Sequence, residues 1–366
     1  MIRRSRTRHA SYLKNGRDEN DWVGDVQNVL AHGCPDSGDC TTAFQSAVDA
    51  AHNLAADVGD STLSLSGDVV VPFRPEGYQV AGLQMRSHVR LLGLGSQVLI
   101  TNPGNSGEHC IMGIGSEQED GVFRRTEIRN FGFRGNTNSG HGIYFEEHDN
   151  NVIAQSRFKS HGGNGIHGQK EDGGAKSDGL IISGCWLDDN RGDGVYLGSN
   201  SHYCDLTDGC RIVNNDGYNF NVSCVGFNVW GGVYGGGSPS RLWNSNAGGI
   251  WGATFEATPF APADMALLEV GHAVDGAARG FTLMANKFLG SGNLGDLTLC
   301  SVVTASGLRI QGGHMDANSA GNVVGIAIGA GSENTVVDRV SFDPNIGAGG
   351  FTNTTTHASA TGTEII

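Results

Sequence analysis

Residues 182–196, ISGCWLDDNRGDGVY, and residues 207–218, TDGCRIVNNDGY, share one spacing that decides the fold. In each stretch a first position is followed five residues later by an apolar residue, and three residues after that by Asn. The matching sets are Ile182, Leu187 and Asn190, then Thr207, Ile212 and Asn215. Such repetition is typical of a chain that winds one supersecondary unit many times.

The spacing recurs along most of the chain. Its first positions are Ile128, Ile153, Ile182, Thr207, Val229, Leu283, Ile310 and Val337. Successive starts lie 22 to 29 residues apart, except for one gap of 54 residues. We interpret that gap as two turns, one of them unclear near Phe255 and Phe260. The period is therefore about 26 residues, within the range of repeat architectures.

A second signal in each repeat is a Gly followed by an apolar or aromatic residue. It occurs at Gly142-Ile143, Gly165-Ile166, Gly194-Val195, Gly217-Tyr218 and Gly249-Ile250. Each repeat therefore reads as three short strands joined by turns rich in Gly, Asn and Asp. Strands that advance by one strand spacing, about 4.8 Å, per turn form a parallel β-helix of the all-β class. The recurring Asn would tolerate a left-handed bend and hydrogen-bond to the Asn of the next coil.

The two ends of such a coil need covering, because each exposes a strand edge. Residues 41–57 place apolar side chains at helical spacing and predict a cap helix: Phe44, Ala47, Val48, Ala51 and Leu54. We expect four parts: a polar N-terminal docking arm (1–25), the cap helix and first coils (26–100), the β-helix (101–350) and a C-terminal tail (351–366). The Thr-rich tail could cover the last coil or pair with neighbouring subunits.

Acidic residues outnumber basic ones. The 38 Asp and Glu against 24 Lys and Arg give a net charge of -14, which argues against nucleic-acid binding because that requires a basic footprint. No apolar run is long enough to cross a bilayer, and residues 1–24 are basic and then polar. We therefore expect neither membrane insertion nor a secretory signal peptide. The basic arm is either solvated or docks the chain onto a larger, acidic assembly.

The cysteines and histidines do not predict a metal site. No Cys-x-x-Cys occurs, and His141 and His148 are too loosely placed to argue for a bound ion. Cys34 and Cys40 lie in one Gly/Pro loop and could form a disulfide. Cys185 and Cys210 fall at equivalent repeat positions, which favours stacked core residues. We expect no metal and no cofactor.

The N-terminal third resembles the opening of pectate-lyase-like proteins. The matching residues are Asp36-Ser37-Gly38-Asp39 with Ala43-Phe44-Gln45, then Val69-Val70-Val71-Pro72, Gly77-Tyr78, Gly82-Leu83, Gly93 and Gly95. The chain departs from the family pattern at Cys40-Thr41-Thr42, and neither the calcium-binding carboxylates nor the catalytic arginine of pectate lyases is matched. The resemblance implies a right-handed β-helix. The family includes polysaccharide lyases, glycosidases and bacteriophage tailspikes, and the tailspikes imply a homotrimer.

One outward column is the candidate substrate-binding surface. The residue after each Gly-apolar pair contributes to it: Tyr144, His167, Tyr196, Asn219 and Trp251. Aromatic side chains about 4.8 Å apart along the axis make a strip on which sugar rings can pack. The alternatives are a trimer interface, since exposed aromatic residues mark contact surfaces, and scattered surface residues.

Carboxylates in the following turn are the catalytic candidates. Glu147 lies in one coil, and Glu171 and Asp172 lie in an insertion in the next coil. Equivalent positions on adjacent coils are about 5 Å apart, a separation that glycoside hydrolysis can use. The alternative is a solvated acidic loop. Asp193 and Asp216, in Asp-Gly turns, form a second pair whose alternative is ordinary turn chemistry.

A third column carries positive charge. It consists of Arg157, Trp186, Arg211, Lys287 and His314. These side chains could hold an anionic polymer, but long cationic side chains also cover apolar surface without binding anything.

Three functions remain open from the sequence. The first is a phage tailspike or virion fibre that binds host surface polysaccharide, with or without cleaving it, and docks on the virion tail or an adaptor protein through residues 1–25. The second is a free polysaccharide lyase or hydrolase. The third is a non-catalytic adhesin or structural protein of the virion. The first of these is the interpretation that we favour.

Overall fold

The structure is a computed structural model. It describes residues 26–56, 67–95, 97–103, 107–118, 121–169, 177–257, 265–272, 276–291, 296–318, 321–343, 351–356 and 360–366. The predicted docking arm, residues 1–25, lies outside the described residues.

The chain winds as a right-handed parallel β-helix, which confirms the predicted all-β fold class. Its strands form three faces. Among the described residues, a 25-stranded sheet covers the first two faces, and an 11-stranded sheet forms the third. The strands described on successive coils pair in parallel, as in Ile143–Glu146 with Ile166–Gln169.

The first face includes the strands at four of the five Gly-apolar signals, all except Gly249-Ile250. They are Leu83–Gln84, Ile111–Ile114, Ile143–Glu146, Ile166–Gln169, Val195–His202, Phe220–Trp230, Ser240–Leu242, Met265–Val270, Leu297–Val302, Val323–Ile328 and Phe351–Thr356.

The second face continues from the first around the coil. Its strands are Val26–Asn28, Gly67–Val71, Val89–Gly93, Phe123–Arg124, Glu127–Arg129, His148–Ala154, Ser177–Ser183, Asp205–Thr207, Asn246–Trp251, Ala278–Met284, Ala305–Ser306, Arg309–Gln311, Val336–Asp338 and Glu364–Ile365. The long strand Phe220–Trp230 runs from the first face onto the second, since its two ends pair with different strands.

The third face is built of short strands that pair from coil to coil without a register shift. Its strands are Tyr78–Gln79, Val98–Thr101, Phe131–Arg134, Arg157–Lys159, Trp186–Asp188, Arg211–Val213, Val233–Gly236, Thr254–Ala257, Lys287–Ser291, His314–Asn318 and Ser341–Phe342.

The core consists of apolar columns that run along the axis. On the second face the column is Leu91, Ile128, Ile153, Ile182, Leu206, Val229, Ile250, Leu283, Ile310 and Val337. Two details of the predicted repeat are therefore wrong. Leu206, not Thr207, faces the core, and the first position of the unclear turn is Ile250 rather than Phe255, which is its second; Phe260 lies outside the described residues.

Stacked polar side chains line one corner of the coil. The buried Asn190 donates from Nδ2 to Oδ1 of the buried Asn215 over 2.8 Å, which confirms the predicted hydrogen bond between coils. The left-handed backbone was assigned to the wrong residue. It occurs one residue earlier, at Ser160, Asp189 and Asn214, with φ of 59°, 56° and 57°.

Another corner, between the second and third faces, also turns on left-handed residues. They include Asn130, Gln155, Gly184, Asp208, Gly231, Gly252, Ala285, Gly312 and Arg339, all with positive φ. The register places these residues at equivalent positions, one after the last paired residue of each second-face strand. A Cβ strains this conformation, so Gly is the favoured residue there.

We expect opposite effects from two substitutions at this corner. Gly252→Ala should destabilise the protein by about 1 kcal/mol, because a Cβ at Gly252 meets no atom within 4 Å and only the backbone cost remains. Ala285→Gly should stabilise it by about 0.5 kcal/mol, since the entropy cost of Gly offsets part of the relief. Urea unfolding of both variants measures these changes. Effects of the same sign would contradict the assignment of this corner.

The N-terminal end is covered as predicted by a helix, Thr41–Ala56. Asp39 accepts a hydrogen bond from the Thr41 backbone N–H over 2.8 Å and caps the helix. Gln45 hydrogen-bonds to both the backbone N–H and the carbonyl of Gln84, which satisfies the strand edge beneath it. Cys34 and Cys40 form a disulfide in the preceding loop.

The C-terminal segment adds to the coil. Residues 351–356 pair with Val323–Ile328 on the first face, and residues 364–365 pair with Val336–Asp338 on the second. Cys185 and Cys210 are buried neighbours on adjacent coils, as their repeat positions predicted.

Candidate functional site

Aromatic side chains line up on the first face. The register places Tyr144, His167 and Tyr196 opposite one another on three successive coils, as the sequence predicted. The ring centroids of Tyr144 and His167 are 5.3 Å apart, and those of His167 and Tyr196 are 4.6 Å apart. These rings are half-buried, so one side of the column is open to solvent.

Two histidines that the repeat spacing does not assign to this column extend it. The His109 ring stacks on Tyr144 with centroids 4.7 Å apart and on His141 with centroids 4.8 Å apart. The centroid of His141 is in turn 4.4 Å from that of His167. We call the set His109, His141, Tyr144, His167 and Tyr196 the aromatic strip.

Hydrogen bonds hold the rings of the aromatic strip in place. Asn164 Nδ2 donates to His167 Nδ1 over 2.8 Å, and His167 Nε2 donates to Gln169 Oε1 over 2.9 Å. Gln169 Nε2 then donates to the Tyr144 hydroxyl over 2.6 Å, and that hydroxyl donates to Glu146 Oε2 over 2.9 Å. This series of hydrogen bonds runs in one direction, from Asn164 to Glu146, so each group in it has a defined donor or acceptor role.

The histidines of the aromatic strip are neutral at pH 7. Burial lowers the pKa of His141 to about 3 and also lowers the pKa of His109 and of His167. Backbone N–H groups donate to Nδ1 of His109 and His141 over 3.0 and 2.7 Å, so these rings carry their proton on Nε2. The strip is therefore an uncharged surface with N–H donors, suited to hydroxyl-rich ligands.

Beyond Tyr196 the column continues differently from the prediction. The residues in register are Asn221, Arg241 and Glu269. The prediction that Asn219 occupies this column is wrong, because Phe220 rather than Tyr218 lies opposite Val195. Asn219 is fully buried and donates from Nδ2 to the carbonyl of Ser238 over 2.6 Å.

Trp251 lies on another face, so its predicted place in this column is also wrong. It is opposite Trp230 on the second face, and the two rings stack with centroids 4.2 Å apart. Met284 follows on the next coil. Trp230 is 50% exposed and Met284 is 37% exposed, so a separate apolar patch exists there.

A cluster of polar and aromatic side chains follows the aromatic strip on the first face. Asp193 Oδ2 accepts from Asn221 Nδ2 over 3.1 Å, and Asn221 Oδ1 accepts from Trp243 Nε1 over 2.7 Å. The Arg241 guanidinium lies 5.4 Å from the Tyr218 ring centroid, and its Nε is 4.0 Å from Oε2 of Glu269. We call Asp193, Tyr218, Asn221, Arg241, Trp243 and Glu269 the polar cluster.

Two carboxyl groups of the polar cluster are difficult to ionise. Burial raises the pKa of Asp193, although the backbone N–H of Tyr218, the amide of Asn221 and the charge of Arg241 oppose the shift. Burial also raises the pKa of Glu269, against the charges of Arg241 and His272. Carboxyl groups with raised pKa are the usual proton donors in sugar hydrolysis.

The predicted catalytic carboxylates are placed only in part. Glu147 is 7% exposed and has a left-handed backbone, with φ of 50°, at the corner between the first two faces. Its neighbour Glu146 is the one that reaches the aromatic strip. Glu171 and Asp172 lie outside the described residues. Their catalytic role stays a prediction.

The two aspartates of the second predicted pair, Asp193 and Asp216, do not occupy equivalent positions. Asp216 is exposed and aligns two positions before Asp193, because the hydrogen bond between the coils joins Gly217 and Gly192 and not the two aspartates.

The predicted basic column lies on one face, the third, with Arg157, Trp186 and Arg211 in register. Arg157 donates to both carboxylate oxygens of Asp188 over 3.0 and 2.8 Å, so its positive charge is paired with a carboxylate of the same face.

Among the described residues, no helix is long and apolar enough to cross a membrane.

No family model and no curated protein matches the chain. Solved structures do match. The ORF18 protein of Geobacillus virus E2 gives a TM-score of 0.54 at 16% identity, covering 95% of this chain and 63% of that protein. The A-module of the Azotobacter vinelandii mannuronan C-5 epimerase AlgE6 gives 0.54 at 15% identity, covering 93% of this chain and 99% of the module. The Dettilon tailspike protein gives 0.58 at 13% identity, covering 95% and 70%.

These likenesses confirm the predicted pectate-lyase-like right-handed β-helix, the fold that this chain shares with tailspike proteins and an epimerase module. At such identities they show the fold alone. The chain also spans less than two thirds of the length of the virus E2 protein.

Proposed function

We propose that this chain is a tailspike-like virion protein that binds host surface polysaccharide along its first face. The observation that carries the proposal is the aromatic strip, whose rings lie on successive coils with their hydrogen-bonding roles fixed. An extended glycan needs a long, preformed surface that offers ring faces together with hydrogen-bond partners. Ordering the protein groups in advance lowers the entropy cost of binding.

The charge of the strip favours an uncharged stretch of polymer. Its three histidines are neutral, and each of His109 and His141 presents an Nε2–H. The tailspike among the similar folds supports a role on a virion, and synthesis in the host cytoplasm is part of the same proposal. The homotrimer and the docking of residues 1–25 on a virion tail or adaptor protein are parts of the same proposal. Trimers are to be detected by light scattering against the 38.3 kDa chain.

We expect Tyr196→Ala to weaken glycan binding about tenfold, because a stacked aromatic ring contributes on the order of 1 kcal/mol. Trp251→Ala is the matched control, since Trp251 lies on the second face. Binding is measured on an immobilised panel of capsular and lipopolysaccharide fragments. Loss of binding in the Trp251 variant with full binding in the Tyr196 variant would move the site to the second face. Loss of the trimer in the Trp251 variant would instead make the stacked Trp pair the subunit contact.

Cleavage of the bound polysaccharide is the second candidate function, and the polar cluster favours it. Asp193 lies in the turn before the strand Val195–His202, on the coil of Tyr196, and Glu269 is in register with Tyr196 three coils further on, so a glycan packed on the strip would pass Asp193 first. Hydrolysis requires one carboxyl group to donate a proton to the leaving oxygen while another carboxylate acts on water or on the sugar. Glu147, Glu171 and Asp172 remain predicted alternatives. A non-catalytic adhesin would bind the same glycans and release no sugar ends.

A further inference from the structure

The last described coils of the third face bring together three side chains that can ligate a metal. His314 and Asp316 lie on the strand His314–Asn318 and flank the buried Met315. Asp343 follows the next strand, Ser341–Phe342. One ligand atom from each of His314, Asp316 and Asp343 lies within 4.8 Å of the other two. Ligand atoms on one tetrahedral zinc ion, at about 2.0–2.2 Å from it, are about 3.4 Å apart, so side-chain rotations that bring these atoms together by roughly 1.4 Å close the site.

The register places the two carboxylates side by side. Met315 lies opposite Phe342, and the Asp343 N–H donates to the Met315 carbonyl over 3.0 Å, so Asp343 stands beside Asp316 on the neighbouring coil. Like charges directly opposite on paired strands destabilise a sheet. A cation between them converts that repulsion into attraction. The juxtaposition places two carboxylates and one imidazole on adjacent coils.

The histidine is held in the ligating tautomer. The Ser341 hydroxyl donates its hydrogen to the carbonyl of Gly313 over 3.0 Å. Its oxygen therefore accepts from His314 Nδ1–H, which is 3.0 Å away. A proton on Nδ1 leaves the Nε2 lone pair free, and a hydrogen bond of this kind commonly orients metal-bound histidines. Ser341 is thus a positioning residue for the site.

We propose that His314, Asp316 and Asp343 bind a divalent transition-metal ion of the zinc type, with water at the remaining positions. One imidazole nitrogen and two carboxylate oxygens suit such ions better than magnesium or calcium, which prefer oxygen ligands alone. The ion would bridge two adjacent coils near the C-terminal end of the coil. The aromatic strip lies on a different face, so the metal has no part in glycan binding.

The test uses untagged full-length protein treated with EDTA and then dialysed. Zinc chloride is titrated by calorimetry, and the melting temperature is measured with and without zinc. We expect one zinc ion per chain and a higher melting temperature with zinc. Asp343→Asn should lose at least about tenfold in affinity, and Ser341→Ala about tenfold, as outer-shell changes commonly do. Without zinc, Asp343→Asn should melt above the wild type, because the like-charge pair is gone.

His202→Ala is the matched control, since His202 has one carboxylate, Asp178, at 3.2 Å and belongs to no three-residue cluster found among the described residues. It should keep wild-type zinc binding. Equal zinc affinity in the wild type and in both site variants would overturn the proposal, as would calcium or magnesium binding that outcompetes zinc. X-ray absorption on the zinc-loaded wild type, expected to show one imidazole and otherwise oxygen ligands, decides the case even if a variant fails to fold. Unchanged glycan binding after EDTA keeps this result separate from the proposed function.

Discussion

Asp193→Asn is expected to lower the rate of polysaccharide cleavage by about 10²- to 10⁴-fold while leaving glycan binding within a few-fold of wild type. Asn keeps the size of the side chain and an oxygen that accepts from the Tyr218 N–H, which is 2.7 Å from Asp193 Oδ1. It cannot donate an acid proton. Glu269→Gln should have a smaller effect, because Glu269 lies three coils from Asp193, about 14 Å along the axis, whereas two carboxyl groups that act on one glycosidic bond are about 5–9.5 Å apart.

The next coil provides the control for this experiment. Asp216 occupies the same Asp-Gly sequence as Asp193 but is exposed, so Asp216→Asn should cleave at the wild-type rate. Reducing ends report hydrolysis, and absorbance of an unsaturated product reports lyase chemistry. Wild-type turnover in the Asp193 variant would show that Asp193 is not the proton donor. Glu147, Glu171 and Asp172 would then be the remaining catalytic candidates. Absence of any product from wild type, with glycan bound, would leave a binding protein only.

Acid is expected to destabilise this protein as the pH falls from 6.5 towards 4. Burial lowers the pKa of His148 and of His161 from 6.5 to about 4 in each case. Above pH 6.5 both folded and unfolded chains hold these rings neutral, so no pH dependence arises from them. As the pH falls from 6.5 towards 4, the unfolded chain binds protons that the folded chain does not. Each histidine then removes roughly 3 kcal/mol of stability by about pH 4.

His161→Asn should remove its share of this acid sensitivity without disturbing the coil. His161 occupies the corner position held by Asn190 in the next coil, since its N–H donates to Asn190 Oδ1 over 3.1 Å. An Asn there can donate to the Phe133 carbonyl, as Asn190 donates to the equivalent carbonyl of Phe158. Urea unfolding at pH 7.5 and pH 5 measures the difference. An equal loss of stability between pH 7.5 and pH 5 in variant and wild type would show that His161 does not contribute to the acid sensitivity.

The fold was predictable because its determinants repeat. Apolar residues five apart and the Asn three further on recur in most coils, so errors at single positions such as Thr207 did not alter the architecture. The cap helix was predictable for a similar reason, since its apolar side chains keep helical spacing over 16 residues. The left-handed positions were predicted less accurately. The Asn190 side chain hydrogen-bonds to Asn215 of the next coil, while the left-handed backbone that makes the bend belongs to Asp189.

The candidate site was predictable only where coil length stays regular. Tyr144, His167 and Tyr196 follow the repeat, but Asn221 and Arg241 are 20 residues apart and Arg241 and Glu269 are 28 apart. The long strand Phe220–Trp230 serves two faces, and within it only Gly226, with φ of 76°, marks the bend. Trp251 was misplaced because its Gly-Ile pair imitates the signal of the first face. The stacking of His109 and His141 depends on side-chain contacts between corners, which spacing alone does not reveal.

The recurrence of one left-handed residue at the same corner gives the molecule a modular length. Deleting residues 232–252 would join Gly231 to Ala253, which normally follows Gly252 at the equivalent bend. The rod would shorten by one strand spacing, about 4.8 Å, with the remaining columns still aligned. Deleting a single residue within a strand would instead turn core side chains towards solvent. Related chains can therefore gain or lose recognition surface in whole coils. Each added coil lengthens the strip by the space that one further ring occupies.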